Sequence, residues 1–167
     1  WSSDVCSSDL FWTQREFGDF VMILDWRLPR KPEAKKVPVM LADGSLASND
    51  DGTPKLVEIM DAGDSGIYIR GSKKAELNIW CRPAGSGELT NYRNDKALPA
   101  SVRAGAIPRM RADNPPGQWN RFVITMRGDR LTADLNGRRI IDNAELPGIP
   151  AKGPIALQYH GDPIEFA

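Results

Sequence analysis

The sequence predicts an all-β fold, an antiparallel β-sandwich of the jelly-roll type. Three observations support this prediction. At least seven short segments alternate apolar and polar residues with a period of two, which is typical of strands with one buried face. Many of these segments are joined by tight turns rich in Gly, Asp and Asn. No long stretch shows the 3.6-residue period of an amphipathic helix.

The length and the two ends of the chain define the expected domain. The chain has 167 residues, of which 41% are hydrophobic, so it is long enough for one domain with its own core. Residues 1–10 repeat Ser-Ser-Asp without an apolar period, and we interpret them as a non-native or artefactual segment. Residues 11–167 are then expected to form a single sandwich domain. Because a strand begins just before Ala167, we expect this domain to be truncated at its C-terminus and to lack terminal strands.

The first half of the chain predicts four strands around one long loop. Residues 19–28 carry apolar side chains at every second position, and Pro29 ends this strand. Residues 30–55 are rich in Pro, Lys, Asp, Gly and Asn, which predicts a surface loop in which residues 37–41 pair at a sheet edge. Three further strands are expected, at residues 56–60, 66–70 and 75–81.

The second half contains a long irregular segment followed by strands. Residues 82–118 hold too many Pro and Gly residues for a regular element, and we expect this loop to form the rim of a binding site. Alternation resumes at residues 119–127, and the Asn-Gly pair at 136–137 is a strong hairpin signal. A further strand is expected at residues 154–160.

Charge and cysteine content exclude several classes of function. Acidic and basic residues both total 22, and no basic run is interleaved with aromatic residues, so nucleic acid is not an expected partner. The apolar runs are far shorter than the roughly 20 residues that span a bilayer, so no membrane span is expected. Cys6 and Cys81 are too few for a disulfide framework or a thiolate metal cluster. A bridge between them is disfavoured, because Cys81 has the parity of a core residue.

Three of the predicted strands carry polar side chains on the face opposite their aliphatic residues. Strand side chains point alternately to the two faces of a sheet, so these groups share the side away from the core. An acid, a base, amides, a guanidinium and aromatic rings on one face suit a polyhydroxylated ligand such as a sugar. The alternative is an ordinary solvated outer face. The residues are Tyr68, Arg70, Glu76, Asn78, Trp80, Gln158 and His160.

Five segments, in one order along the chain, resemble the 3-keto-disaccharide hydrolase domain family. They are FWTQREFGDF, GDSGIYIRG, AELNIWC, GQWNRFVITMRGDRLTADLNG and GPIALQYHGDPIEF. The similarity runs from about Phe11 to Ala167. It implies a concanavalin A-like jelly roll with a further strand beyond each end of this sequence. It also implies a bacterial protein exported to the periplasm or the cell exterior.

The same resemblance implies an enzyme that cleaves 3-keto-glycosides or 3-keto-disaccharides, sugars that a partner oxidoreductase has first oxidised at C3. A ketone at C3 acidifies the hydrogen on C2, so a positioned base removes it and the enolate expels the substituent at C1. Water then adds to the product, which gives net hydrolysis without the two carboxylates of ordinary glycosidases. The site needs a base, a group that stabilises the enolate and an acid near the leaving oxygen, but no cofactor.

The catalytic roles are assigned, as expectations, to the polar face. His160 is the only histidine and the first candidate for the general acid or base, because its unperturbed pKa is about 6.5. Its alternative is a simple hydrogen-bonding role. Glu76 is the rival base, unless it pairs with Lys73 or Lys74. Arg70 is expected to stabilise the enolate or grip hydroxyl groups, unless it pairs with Glu76 across the hairpin.

Other polar and aromatic positions are assigned to substrate binding. Trp80 and Tyr92 are expected to stack on the apolar side of the sugar, whereas Trp12, Trp26 and Trp119 are interpreted as core or core-edge residues. The full predicted binding set is Tyr68, Asn78, Trp80, Glu88, Tyr92, Gln158 and Asp162.

Two alternatives concern metal binding and catalysis itself. The aspartate-rich turn that contains Asp61 and Asp64, together with Asp162, offers oxygen ligands of the kind calcium prefers. No dedicated metal-loop pattern is present, so backbone capping of the turn is favoured and no metal is predicted. The polar face also suits a non-catalytic, lectin-like carbohydrate-binding module, and an inert structural sandwich is the third hypothesis. The presence of both His160 and Glu76 favours the enzyme.

Overall fold

Two antiparallel five-stranded sheets pack against each other across one apolar core. The computed structural model describes residues 2–4, 9–41, 43 and 45–167. The front sheet contains, in spatial order, β1 (Ser2–Asp4), β2 (Asp9–Trp12), β11 (Ala156–Tyr159), β6 (Asp64–Tyr68) and β7 (Glu76–Trp80). The back sheet contains β10 (Arg138–Glu145), β9 (Arg130–Leu135), β8 (Asn120–Arg127), β3 (Phe20–Arg27) and β12 (Glu165–Phe166). The predicted all-β antiparallel sandwich is confirmed.

The core is formed by alternate residues of both sheets. Ile67 and Ile79 of the front sheet and Phe122 and Ile124 of the back sheet are completely buried. Burying an aliphatic or aromatic side chain of this size stabilises a fold by about 1.5–3 kcal/mol. The two-residue period of each strand is therefore what commits one face of each sheet to the interior.

The back sheet follows the sequence pattern closely. In β3 the alternate apolar residues turn inward, whereas Val21 and Ile23 lie on the outer face and are each 63% exposed. The predicted hairpin joins β9 to β10. Asn136 and Gly137 both adopt positive φ, 52° and 76°, as a two-residue turn between twisted strands requires. The Asn136 side chain also accepts a hydrogen bond from the Arg121 backbone N–H at 2.9 Å.

The predicted loop at residues 30–55 is wrong over part of its length. Strand β4 (Glu33–Pro38) pairs with β5 (Leu56–Asp61) in a separate two-stranded sheet, which we call the arm. The expected edge segment at residues 37–41 overlaps only the end of this strand. Four of the six residues of β4 are exposed and only Val37 is buried. Because the arm is largely solvated, β4 lacks the apolar alternation that would have revealed it.

The segment at residues 82–118 is also more regular than expected. It contains two short helices, α1 (Thr90–Arg93) and α2 (Ala100–Gly105). Helices of four and six residues are too short to display a helical period in the sequence. Helix α2 packs against β10. Much of the predicted rim therefore belongs to the body of the domain.

The beginning of the described chain takes part in the front sheet. Strand β2 pairs with β11, and β1 pairs with β2. The interpretation of residues 1–10 as an artefactual segment, the domain start at residue 11 and the truncation of the domain remain predictions. Cys6 lies outside the described residues, whereas Cys81 is buried as expected. Within the described ranges, no helix is long and apolar enough to cross a membrane.

Candidate functional site

The outer face of the front sheet gathers most of the polar side chains that the sequence singled out. Across the β6–β7 ladder, Tyr68 pairs with Glu76 and Asp64 pairs with Trp80. Directly paired residues project to the same side of a sheet. On the other side of β6, Ala156 pairs with Tyr68, which places Gln158, two residues further along β11, on this face as well. We call this surface the front face.

Glu76 lies across the neighbouring strand, over Gly66. A Cβ atom placed on Gly66 would lie 2.5 Å from Glu76 Oε1, so only glycine leaves room for the carboxylate there. Burial raises the pKa of Glu76, and the negative charge of Asp64 raises it further. Polar contact with the Tyr68 phenol and the nearby His160 imidazole oppose this shift without cancelling it. The front face therefore holds a carboxyl group that protonates more readily than an ordinary glutamate.

Tyr68 lies beside Glu76 and is only 9% exposed. Gln158 Nε2 donates a hydrogen bond to the Tyr68 hydroxyl oxygen at 3.2 Å. Burial, followed by the charge of Glu76, raises the pKa of Tyr68 far above its ordinary value. The phenol therefore stays protonated and remains a hydrogen-bond donor at any physiological pH.

Asp64 and His160 form a second titratable pair on the same face. Asp64 Oδ2 lies 3.9 Å from His160 Nδ1, a separation at which the pair attracts when the imidazole is protonated. Burial raises the pKa of Asp64, and the charges of His160 and Arg82 partly offset this shift. The sequence predicts only a turn-capping role for Asp64. Its pairing with His160 joins β6 to the end of β11, and nothing local in the sequence reveals it.

Trp12 was expected at the core or the core edge, and the structure places it elsewhere. The residue pairs with Ala156 across the β2–β11 ladder and therefore shares the front face instead of the core. Its ring lies 6.3 Å from the Tyr68 ring, centroid to centroid. Because residues 1–10 were set aside, β2 was too short to show its parity. Trp12 thus adds a partly exposed aromatic ring to the front face.

Arg70 does not lie on the front face, and its predicted site role is corrected. Strand β6 ends at Tyr68, two residues earlier than expected, and Arg70 adopts a positive φ of 51° in the following turn. Its guanidinium is 1% exposed and donates hydrogen bonds to the carbonyl oxygens of Gly18, Gly128 and Pro150. An ion pair with Asp19 at 3.1 Å completes this environment. The predicted alternative, a salt bridge to Glu76, is also replaced by these contacts.

Tyr92 and Glu88 are largely buried and do not lie on the front face. Tyr92 is 1% exposed, and its hydroxyl donates to the Pro147 carbonyl oxygen at 3.3 Å. Burial raises the pKa of Tyr92 to about 12. Glu88 Oε1 lies 2.7 Å from Arg93 Nε in a buried ion pair. Neither side chain is free to bind a sugar on the front face in this structure.

Asn78 and Trp80 have the predicted parity, but their polar atoms are used by the adjoining loop. Asn78 Nδ2 donates to the Glu88 carbonyl oxygen at 2.9 Å, and Trp80 Nε1 donates to the Gly85 carbonyl oxygen at 2.8 Å. The Arg82 guanidinium lies 4.5 Å from the centroid of the Trp80 ring. These two residues anchor the loop at the edge of the site, and Trp80 is too well covered to stack on a sugar.

Asp162 acts on the site through the backbone. Its Oδ2 accepts a hydrogen bond from the Asp64 N–H at 3.2 Å, and its Oδ1 accepts one from Arg30 Nη1 at 2.6 Å. Lys35 Nζ lies 2.9 Å from Asp61 Oδ2. Only the contact between Asp162 and the Asp64 N–H is of the expected capping kind, whereas Asp61 forms an ion pair. Among the described residues, no group of three or more His, Cys, Asp and Glu side chains is arranged to hold a metal ion.

Comparisons with known proteins agree with the fold. The family model of the 3-keto-alpha-glucoside-1,2-lyase-like domain matches residues 2–167, a range that begins inside the segment interpreted as artefactual. A candidate glycosyl hydrolase from Parabacteroides distasonis ATCC 8503 is similar with a TM-score of 0.53 and 19% identity, over 97% of this chain and 66% of that protein. The chain thus spans slightly less than two thirds of that relative.

A second candidate glycosyl hydrolase from the same organism has a TM-score of 0.50 and 16% identity, over 99% of this chain and 80% of that protein. At such identities the similarity of both structures concerns the fold alone. No curated protein matches the sequence.

Proposed function

The chain belongs to the 3-keto-alpha-glucoside-1,2-lyase-like domain family, and we propose that it cleaves the glycosidic bond of sugars that carry a ketone at C3. The family itself indicates a carbohydrate-related function. The observation that carries the finer proposal is the meeting of Tyr68, Glu76, Asp64 and His160 on the front face. The pKa values of Tyr68, Glu76 and Asp64 are raised, and groups with perturbed pKa values that converge in one place are typical of catalytic sites.

Glu76 is the proposed general base. Its raised pKa brings the carboxylate closer to the range in which a base works well at neutral pH. The C3 ketone makes the C2 hydrogen acidic, so Glu76 takes this proton while the electron pair of the C–H bond forms the enolate. A single carboxylate suffices for this step.

Tyr68 is the proposed donor to the enolate oxygen. Its phenol is held protonated by burial and by the adjacent negative charge. Gln158 donates to the phenol oxygen, and the phenol itself donates to the Glu76 carboxylate, so its proton turns to the enolate oxygen once Glu76 holds the C2 proton. A donor fixed in a partly desolvated site stabilises developing negative charge more than water does. This role replaces the one expected of Arg70.

The Asp64–His160 pair is the proposed acid. A carboxyl group of raised pKa beside an imidazole supplies a proton that moves to the oxygen leaving C1. The enolate electrons form the C1=C2 bond as the C1–O bond breaks. The pair, now deprotonated, activates the water that adds at C1, and the proton held by Glu76 returns to C2. The sum is hydrolysis, with the ketone regenerated.

The decisive experiment follows aglycone release from a 3-keto-glucoside by the purified chain. We expect Glu76→Gln to lower kcat by about 10²–10⁴-fold, because the amide cannot accept the C2 proton. A substrate deuterated at C2 should react more slowly with the unaltered protein. Glu58→Gln, an exposed substitution in the arm, is the matched control and should leave the rate unchanged.

Two results would contradict the proposal. One is release that persists at the normal rate in Glu76→Gln. The other is binding of the keto sugar with no release at all, unchanged by His160→Gln, which would indicate a carbohydrate-binding module. Export from a bacterial cell, and a partner enzyme that oxidises the sugar, belong to the same proposal.

A further inference from the structure

A cavity of about 250 Å³ lies between the arm and the segment that follows β7. Val57 of the arm, Met40 and Leu41 from the segment after β4, and Ile107 form the apolar part of its wall. Two charged residues, Arg82 and Glu88, also line it. None of the roles assigned above uses this cavity.

Two side chains, Trp80 and Arg82, connect the proposed acid to the cavity wall. Asp64 pairs directly with Trp80 across the β6–β7 ladder. Arg82 stacks on the Trp80 ring at 4.5 Å and forms part of the cavity wall. The charge of Arg82 also acts on Asp64, which places the two groups within electrostatic reach. A substituent that leaves from the Asp64 side of a bound sugar would therefore find this cavity next to it.

The wall suits an apolar ring better than a second sugar. A sugar needs many hydrogen-bond partners, whereas four of the wall residues named here are aliphatic or thioether side chains. Glu88 is already paired with Arg93. The Arg82 guanidinium is the remaining charged group, and a planar guanidinium stacks well on aromatic faces. An apolar cavity of about 150 Å³ holds benzene, so this one has room for one or two aromatic rings.

We propose that this cavity is the leaving-group subsite and that it takes an aryl aglycone. The inference rests on the proposed function and narrows its substrates to 3-keto-glycosides of aromatic alcohols. The sugar occupies the front face, and the aromatic ring lies between the arm and Arg82. The arm thus has a role in specificity, although it contributes little to the sandwich core.

The test compares two substrates and two methionine substitutions, one in the cavity wall at Met40 and one on β5 at Met60. We expect kcat/KM for a 3-keto-glucoside of 2-naphthol to exceed that for a 3-keto-disaccharide by about tenfold or more. Met40→Asp places a charge in the cavity wall and should lower kcat/KM for the naphthyl glucoside by about tenfold more than kcat/KM for the disaccharide, which removes this preference. Met60→Asp is the matched control, because Met60 is exposed on β5 and does not line the cavity. Val57→Asn serves as the second variant if Met40→Asp does not fold.

Failure of this inference is distinguishable from failure of the proposed function. Cleavage of both substrates with a preference that neither cavity variant alters would overturn the subsite and leave the function intact. If neither substrate is cleaved, calorimetric binding of 2-naphthyl glucoside decides the matter. Weaker binding by Met40→Asp than by Met60→Asp supports the cavity, and equal binding overturns it.

Discussion

The outer faces of the two sheets arise from the same alternation of residues, but the pKa values of their carboxyl groups shift in opposite directions. On the back sheet, Arg121 contacts both carboxylate oxygens of Asp25 at 2.6 Å, and Arg139 contacts Asp134 at 2.7 Å. Hydrogen bonding from Arg121 lowers the pKa of Asp25. Carboxylates on this face are thus compensated by surface arginines, as expected of a solvated surface.

On the front face, burial dominates and raises the pKa of both Glu76 and Asp64. The charge of Asp64 raises the pKa of Glu76 further, and the charge of His160 opposes the shift of both carboxyl groups. The alternation of apolar and polar residues does not by itself distinguish a solvated sheet face from one that carries a functional site. The difference lies in whether other parts of the chain cover the polar groups, because desolvation disfavours charge that water would otherwise stabilise.

The largest expected effect on stability comes from replacing Arg70, which tests whether this residue belongs to the front face. We expect Arg70→Met to destabilise the fold by about 3 kcal/mol or more, because it removes hydrogen bonds from a charged donor to three backbone carbonyl oxygens. Urea unfolding measures the loss. A variant of normal stability with reduced turnover would instead return Arg70 to the site.

Gly66 tests the placement of Glu76. We expect Gly66→Ala to lower kcat by about 10²-fold, because the new methyl group displaces the carboxylate by a distance of the order that costs this much. Steady-state kinetics measure the loss, and circular dichroism should show a folded protein. Gly105→Ala, where a Cβ meets ordinary contacts, is the matched control and should keep full activity. Equal rates in the two variants would contradict the proposed position of Glu76.

The pH dependence of stability distinguishes the two faces by sign. A carboxyl group with a raised pKa binds its proton more tightly in the folded protein, so Glu76 makes the free energy of unfolding fall as pH rises from its ordinary pKa through its raised one. Asp25 acts oppositely, and its contribution is lost as pH falls through its lowered pKa. We expect Glu76→Gln to stabilise the protein at pH 7 by about 0.5–2 kcal/mol.

Thermal unfolding of Glu76→Gln and of the unaltered protein between pH 4 and pH 8 measures this difference. The gap between their unfolding free energies should widen as pH rises. A constant gap would show that Glu76 is solvated like a surface carboxylate, and the contrast between the faces would disappear.

The smallest effect is expected on the back sheet. Asp25→Asn should lower the free energy of unfolding by about 0.2–1 kcal/mol, the usual range for an exposed ion pair, and the loss should shrink in high salt. Turnover should not change. Chemical unfolding at low and high salt measures the loss of stability. A loss of activity in Asp25→Asn would show that the outer face of the back sheet also takes part in function.

Sequence reasoning was most successful where one strand decides the outcome. The parity of Glu76 relative to Asn78 and Trp80 follows from the two-residue period, and the hairpin at Asn136 follows from local turn chemistry. It failed where the arrangement of separate segments decides. The sequence predicts a loop at Tyr92 because α1 is only four residues long, yet that helix places the Tyr92 ring in the core.

The strands, their inward faces and the kinds of chemical group available follow from the amino-acid sequence, because side-chain alternation is a property of a single extended chain. Which polar groups lie together depends on how distant segments pack. Arg70 does not lie on the front face, because carbonyl groups from three distant segments accept its hydrogen bonds. Trp12 lies on the front face because β2 pairs with β11. Asp64 and His160 are nearly a hundred residues apart along the chain but lie close together in the fold, and no local periodicity predicts this contact.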